Sequence, residues 1–115
     1  MSEQRVSAKP DDRRRLPRKR VVLRGEIVYD EGRYTLSCVI RSISTKGARI
    51  TVQKGLSMPT HVYLIDIQNG MAYGAEVTWM RSPLFGLNFL RTYKLAELTE
   101  PDLQYLKRFW LNCAR

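Results

Sequence analysis

From Val21 to Phe89, apolar side chains return at every second residue, and turn-forming residues cut the run into six short pieces. A period of two is the mark of a strand with one buried face, so this stretch cannot be helical. In VVLRGEIVY (21–29), Val21, Leu23, Ile27 and Tyr29 share one face, with Arg24 and Glu26 opposite. DEGR (30–33) is expected to be a hairpin turn in which Gly32 can take positive φ. YTLSCVIRSI (34–43) then aligns Leu36, Cys38 and Ile40. After the turn STKG (44–47), ARITV (48–52) points Ala48, Ile50 and Val52 inward and Arg49 and Thr51 outward. HVYLIDI (61–67) follows the loop QKGLSMP, and QNG (68–70) is a tight turn. MAYGAEVTWM (71–80) places Tyr73, Ala75, Val77 and Trp79 on one side, which favours a core position for Trp79 over an exposed stacking platform. RSP breaks the chain, and LFGLNFL (84–90) aligns Phe85, Leu87 and Phe89. Six short strands in 115 residues argue for a mainly β fold, an antiparallel barrel or sandwich. Closure into a barrel is the economical solution, because it removes unpaired edges.

The C-terminal stretch changes period. In TEPDLQYLKRFWLNC, Leu103, Leu106, Trp110 and Cys113 recur at helical spacing with Phe109 beside them. Thr99, with Asp102 three residues on and Pro101 in the first turn, is expected to cap the helix. The organisation expected is a disordered tail over 1–11, a barrel over 12–95, and an amphipathic helix over 96–115 packed on the barrel.

Charge is unevenly distributed. The chain carries a net charge of +9, and residues 1–24 hold nine Lys/Arg against three Asp/Glu. The excess sits in DRRRLPR (12–18), with Arg13, Arg14, Arg15 and Arg18, and such asymmetry points to an anionic partner at that end. Arginine's planar fork pairs with phosphate oxygens, reads guanine O6 and N7 in bidentate fashion and stacks on purine faces. The second polar constellation is SISTKG, with Ser42, Ser44 and Gly47 at the turn after the second strand. Strand two returns antiparallel to strand one, so its end lies near the start of strand one. The arginines and the serine–glycine turn are thus expected at the same end of the barrel.

Chemistry of other kinds finds little support. The single histidine, His61, provides no acid–base relay and suits a structural or surface role. Cys38 and Cys113 lack metal or redox spacing and are expected to be free thiols. No phosphate loop or paired-carboxylate motif is present, so an enzyme is not expected, and neither is a cofactor or metal. No apolar run is long enough for a membrane span, and MSEQRVSAKPDD has no secretory apolar stretch, so a cytoplasmic protein is expected.

The order RRRLPR, then a strand hairpin, then IRSISTKGARI, then VTWMRSPLFGLNFL resembles a PilZ domain over roughly residues 12–90. That family carries R-x-x-x-R followed by [D/N]-x-S-x-x-G, commonly with a late Gly-x-x-Phe, matched here by Gly86 and Phe89. The resemblance implies a six-stranded PilZ-type barrel and a bacterial receptor for cyclic di-GMP, often bound as an intercalated dimer and wrapped by the arginine segment. Arg14 and Arg18 match the two arginines, and Ser44 and Gly47 match the serine and glycine of the second motif. Arg13 and Arg15 flank the first motif and are secondary candidates for phosphate contact. Ser42 stands where the family has Asp or Asn. A hydroxyl there is shorter and offers a weaker contact to a guanine edge than a carboxylate or carboxamide.

On this reading the partners are cyclic di-GMP and a downstream protein, with the chain a monomer or weak dimer. Two alternatives stay open. One is a PilZ-like adaptor that binds protein and no nucleotide. The other is a small basic barrel that binds nucleic acid, against which the core-like alternation of the aromatics argues.

Overall fold

The computed structural model describes residues 19–53 and 57–113. Six antiparallel strands form a closed barrel: β1 (Lys19–Tyr29), β2 (Tyr34–Ile43), β3 (Gly47–Val52), β4 (His61–Asp66), β5 (Met71–Arg81) and β6 (Leu84–Lys94). Around the ring the order is β1-β2-β3-β6-β5-β4, with β4 pairing back onto β1. Four of the neighbours are hairpin partners in sequence. The β3–β6 and β1–β4 pairings close the ring and satisfy the edges a flat sheet would leave open.

The alternating residues fill the interior as their period requires. Ile27, Cys38, Ile40, Ala48, Ile50, Leu64, Phe85 and Leu87 are buried there. Tyr73 and Phe89 stack with ring centroids 4.0 Å apart. Burial pushes the Cys38 thiol up to about 12, with the Glu26 carboxylate adding to the effect, so this cysteine is an unreactive core residue.

A second core lies outside the ring. Val28, Ile65 and Ala72 point away from the interior and are covered by Leu95, Leu98 and Leu106 of the C-terminal region. Short 3₁₀ turns at Leu95–Glu97 and Pro101–Leu103 lead into α1 (Gln104–Cys113). The helical stripe is as the spacing predicts, with Leu103, Phe109, Trp110 and Cys113 packed beside Leu106. Thr99, however, is not the cap. The 3₁₀ turn before α1 starts after Glu100, and the Gln104 side chain closes this region by donating to the Leu98 and Glu100 carbonyls at 3.0 and 3.2 Å.

Two aromatic rings of α1 rest on turns at opposite ends of the barrel. Tyr105 lies against Gly32 of the β1–β2 turn, and Trp110 lies against Gly70 of the β4–β5 turn. Both glycines have positive φ, 92° and 67°, and a Cβ at either would press into the ring. The Trp110 indole also donates to the Ile67 carbonyl at 2.9 Å.

Helix docking changes the expected one-sided strand. Glu26, Ile27 and Val28 of β1 are all buried, as are Leu64, Ile65 and Asp66 of β4. Local alternation reports one face; the second is covered by Leu95 to Leu106, 67 to 78 positions beyond Val28 and 30 to 41 beyond Ile65. Strand β6 also runs further than expected, to Lys94, because its polar second half pairs with Met71–Gly74.

Candidate functional site

The chain enters β1 at Lys19 directly opposite Ile43, and Arg20 pairs with Ser42. The predicted neighbourhood of the β1 start and the Ser42–Gly47 turn is therefore present. Arg13, Arg14, Arg15 and Arg18, and the tail 1–11, lie outside the described residues.

Ser44 organises the turn rather than facing solvent freely. Its hydroxyl accepts from the backbone N–H groups of Lys46 and Gly47 at 3.1 and 3.3 Å, and its own N–H donates to the Gly47 carbonyl at 2.9 Å. This is a serine-closed turn, one reason the residue type suits the position. Gly47 is required for close approach: a Cβ there would run into the Leu87 carbonyl oxygen of the paired strand β6. Ser42 is buried at 6 % exposure, and its hydroxyl has no hydrogen-bond partner among the described residues. An unpaired buried hydroxyl is unfavourable.

Ser42 sits at an irregularity in both of its ladders. The register shifts between Arg20 and Leu23 on β1, and between Ile40 and Ser42 on β2. These bulges leave Val22 74 % exposed and Arg41 exposed, beside Arg20 and Arg49. The result is a shallow depression of about 610 Å³ with Arg20, Arg41 and Arg49 around Ser42, and Val22 and Leu84 as apolar lining.

Beyond this depression the pairings continue as a row along the curved barrel wall, to Trp79 beside Met58, Pro59 and Thr60. Arg20 faces Ser42, Ser42 faces Arg49, Arg49 faces Gly86, and Gly86 faces Trp79. Five strands at the usual spacing make this row roughly 19 Å long. Trp79 departs from the expected core position. A register shift between Val77 and Trp79 reverses its face, and the indole is 40 % exposed. It lies over Gly86, where a Cβ would collide with the indole ring. The outer face thus carries cations at one end and an aromatic plane at the other. This combination suits a ligand with both phosphates and flat bases.

Sequence reasoning identified Ser42, Ser44 and Gly47, but not Arg20, Arg41, Arg49 or the outward Trp79 as members of one surface. Arg49 was legible as outward-facing. Its neighbours were not, because β3 and β6 are distant in sequence and bulges shift the phase. Elsewhere, His61 is exposed, Cys38 and Cys113 are free, and no metal-binding cluster occurs among the described residues. No helix of the described residues is long and apolar enough to cross a membrane.

The fold is a small closed barrel with a cation-bearing strand face. The PilZ domain model matches residues 12–109, and the chain belongs to that family. PilZ domains are typically cyclic di-GMP receptors and are generally non-catalytic binding domains. Comparison with curated proteins finds no match.

Proposed function

We propose that this chain binds cyclic di-GMP between its arginine segment and the strand face that runs from Arg20 to Trp79. Arg14 and Arg18 supply the phosphate and guanine contacts from one side, with Arg13 and Arg15 as flanking cations. Ser42, Ser44 and Gly47 shape the opposite side, where Arg20, Arg41 and Arg49 add charge. The observation that carries this reading is the pairing of Arg20 and Arg49 on either side of Ser42. Where the family has Asp or Asn, this chain has a small buried hydroxyl between two arginines. Guanine recognition then falls to the arginine forks, which read O6 and N7, and to the Trp79 plane. Val22 offers apolar surface to the same bases.

Binding orders the N-terminal segment, and that ordering carries the signal to a downstream protein, without a catalytic step. Such coupling needs only that the segment have more contacts with ligand present than without.

The test is calorimetric titration with cyclic di-GMP, with GTP as control. Saturable heat with cyclic di-GMP alone is expected. Arg14→Ala and Arg18→Ala should each lose about 1.5–3 kcal/mol of binding, the worth of a hydrogen bond to a charged group. That corresponds to roughly 10- to 100-fold in affinity. A flat titration of the unaltered protein would overturn the reading and favour the protein-only adaptor.

A further inference from the structure

The barrel carries a second concave surface, on the side where α1 docks. It is a groove of about 390 Å³ between the β1–β2 turn, the outer face of β4 to β6, and the start of α1. Gly74 lines the surface between Tyr63 and Arg91, its cross-strand neighbours on β4 and β6. Tyr63 and Tyr105 give the groove aromatic walls, and Leu103 lines the α1 side. Leu90 stands at its lip. The register shifts between the Gly74–Arg91 and Ala75–Phe89 pairs, so Leu90 is the extra residue of β6, and its side chain is 53 % exposed.

The polar lining has one dominant sign. Asp30, Glu31 and Asp102 are exposed and line the groove from the turn and the entry to α1. In a chain of net charge +9, three carboxylates on one small concavity run against the overall balance. Arg91 marks the β6 side, which orients the groove from acidic to basic. An exposed leucine over aromatic walls, with a local negative field, fits an apolar side chain flanked by cations.

We propose that this groove docks a partner protein through a short segment bearing Leu, Ile, Phe or Met next to Lys or Arg. The occupant is set by charge complementarity: its cations face Asp30, Glu31 and Asp102, while its apolar residue covers Leu90 and Gly74. The acidic turn is held by the Tyr105 ring against Gly32, so the carboxylates are presented on a packed support. The groove lies at the Tyr29 end of β1, and the proposed nucleotide face lies at the Arg20 end, so both can be occupied together.

The experiment is to pan a phage-displayed library of random dodecapeptides on the full-length protein, then measure the enriched peptides by fluorescence anisotropy. Enriched sequences should carry Lys or Arg within a few positions of a large aliphatic or Phe residue. Their affinity should fall at least tenfold in Leu90→Asp and in Asp102→Lys, and should weaken as salt rises. Both positions are exposed, so the melting temperature and the cyclic di-GMP titration of these variants should match the unaltered protein. Failure of that titration in every form would count against the nucleotide reading alone. The groove assignment is overturned if no peptide is enriched, if the enriched peptides are acidic, or if both substitutions leave their binding unchanged. It is also overturned if Leu90→Asp abolishes a self-association of the unaltered chain, since the occupant would then be a second copy.

Discussion

Two outer faces of one barrel are used in opposite ways. Under α1, the outward residues of β1, β4 and β5 are sealed: Val28, Ile65 and Ala72 are buried against Leu95, Leu98 and Leu106. On the face that holds β1's start, β2, β3 and β6, the outward residues include Arg20, Arg41 and Arg49, with Trp79 exposed at the end of the row. The interior core is common to both. The difference shows that the helix-side core can hold the fold while the other face carries clustered like charges, which contribute nothing favourable to folding. Bulges stagger the register of the arginine-bearing face, while the helix side is covered by the second core.

The contrast can be broken most severely from the helix side. Leu106 is fully buried in the second core, and Leu106→Ala should cost about 2–5 kcal/mol of stability. Urea unfolding would measure this, and protein that remains folded should keep its affinity for cyclic di-GMP. On the other face the effects should separate the other way. Arg49→Ala should lose about 1.5–3 kcal/mol of binding while stability moves by no more than about 0.5 kcal/mol. A loss of stability equal to the loss of binding would show that the two faces are not independent.

Gly86→Ala sharpens the role of the aromatic end. Its Cβ collides with the Trp79 indole, which is free to swing outward because it is partly exposed. The expected outcome is a ring displaced from the row, a near-unchanged melting temperature, and a loss of roughly 1–3 kcal/mol in binding, the worth of one base–aromatic stack. Indole fluorescence during titration would report it directly: quenching in the unaltered protein and little in the variant.

The smallest effect concerns Glu26, an outward residue of β1 that helix docking leaves buried. One of its oxygens accepts from the Ser37 hydroxyl at 3.4 Å, and the other has no partner among the described residues. Burial holds its carboxyl above the ordinary value of 4.5, with the Ser37 hydrogen bond and the Arg24 charge partly opposing it. A raised acid favours the folded state while it is protonated. That contribution is full below about pH 4.5 and is lost as pH rises through the folded value. Glu26→Gln should therefore melt higher than the unaltered protein at neutral pH, with the gap closing toward pH 4.5. Thermal melts across that range would check the sign; a variant less stable at pH 7 would place a favourable partner on Glu26.

The strand hairpins, their inward residues and the helical stripe were legible because each rests on a short-range period, two for strands and 3.6 for the helix. The Ser42–Gly47 turn was placed beside the start of β1 by antiparallel return alone. Trp79 was misread because a bulge adds one residue between it and its aligned neighbours, and a shift of one residue reverses the face. The helix start was misread because a 3₁₀ turn and the Gln104 side chain do what Thr99 was expected to do.

From the sequence alone, then, came the elements, the interior core, the nearness of the Ser42–Gly47 turn to the start of β1 and the family of the chain. The tertiary structure decided which strands close the ring, which outward residues are sealed and which stay open, and the alignment of Arg20, Ser42, Arg49, Gly86 and Trp79. Those outcomes depend on pairings between residues far apart in the chain and on bulges that break the local period. No window of sequence short enough to show a pattern contains them.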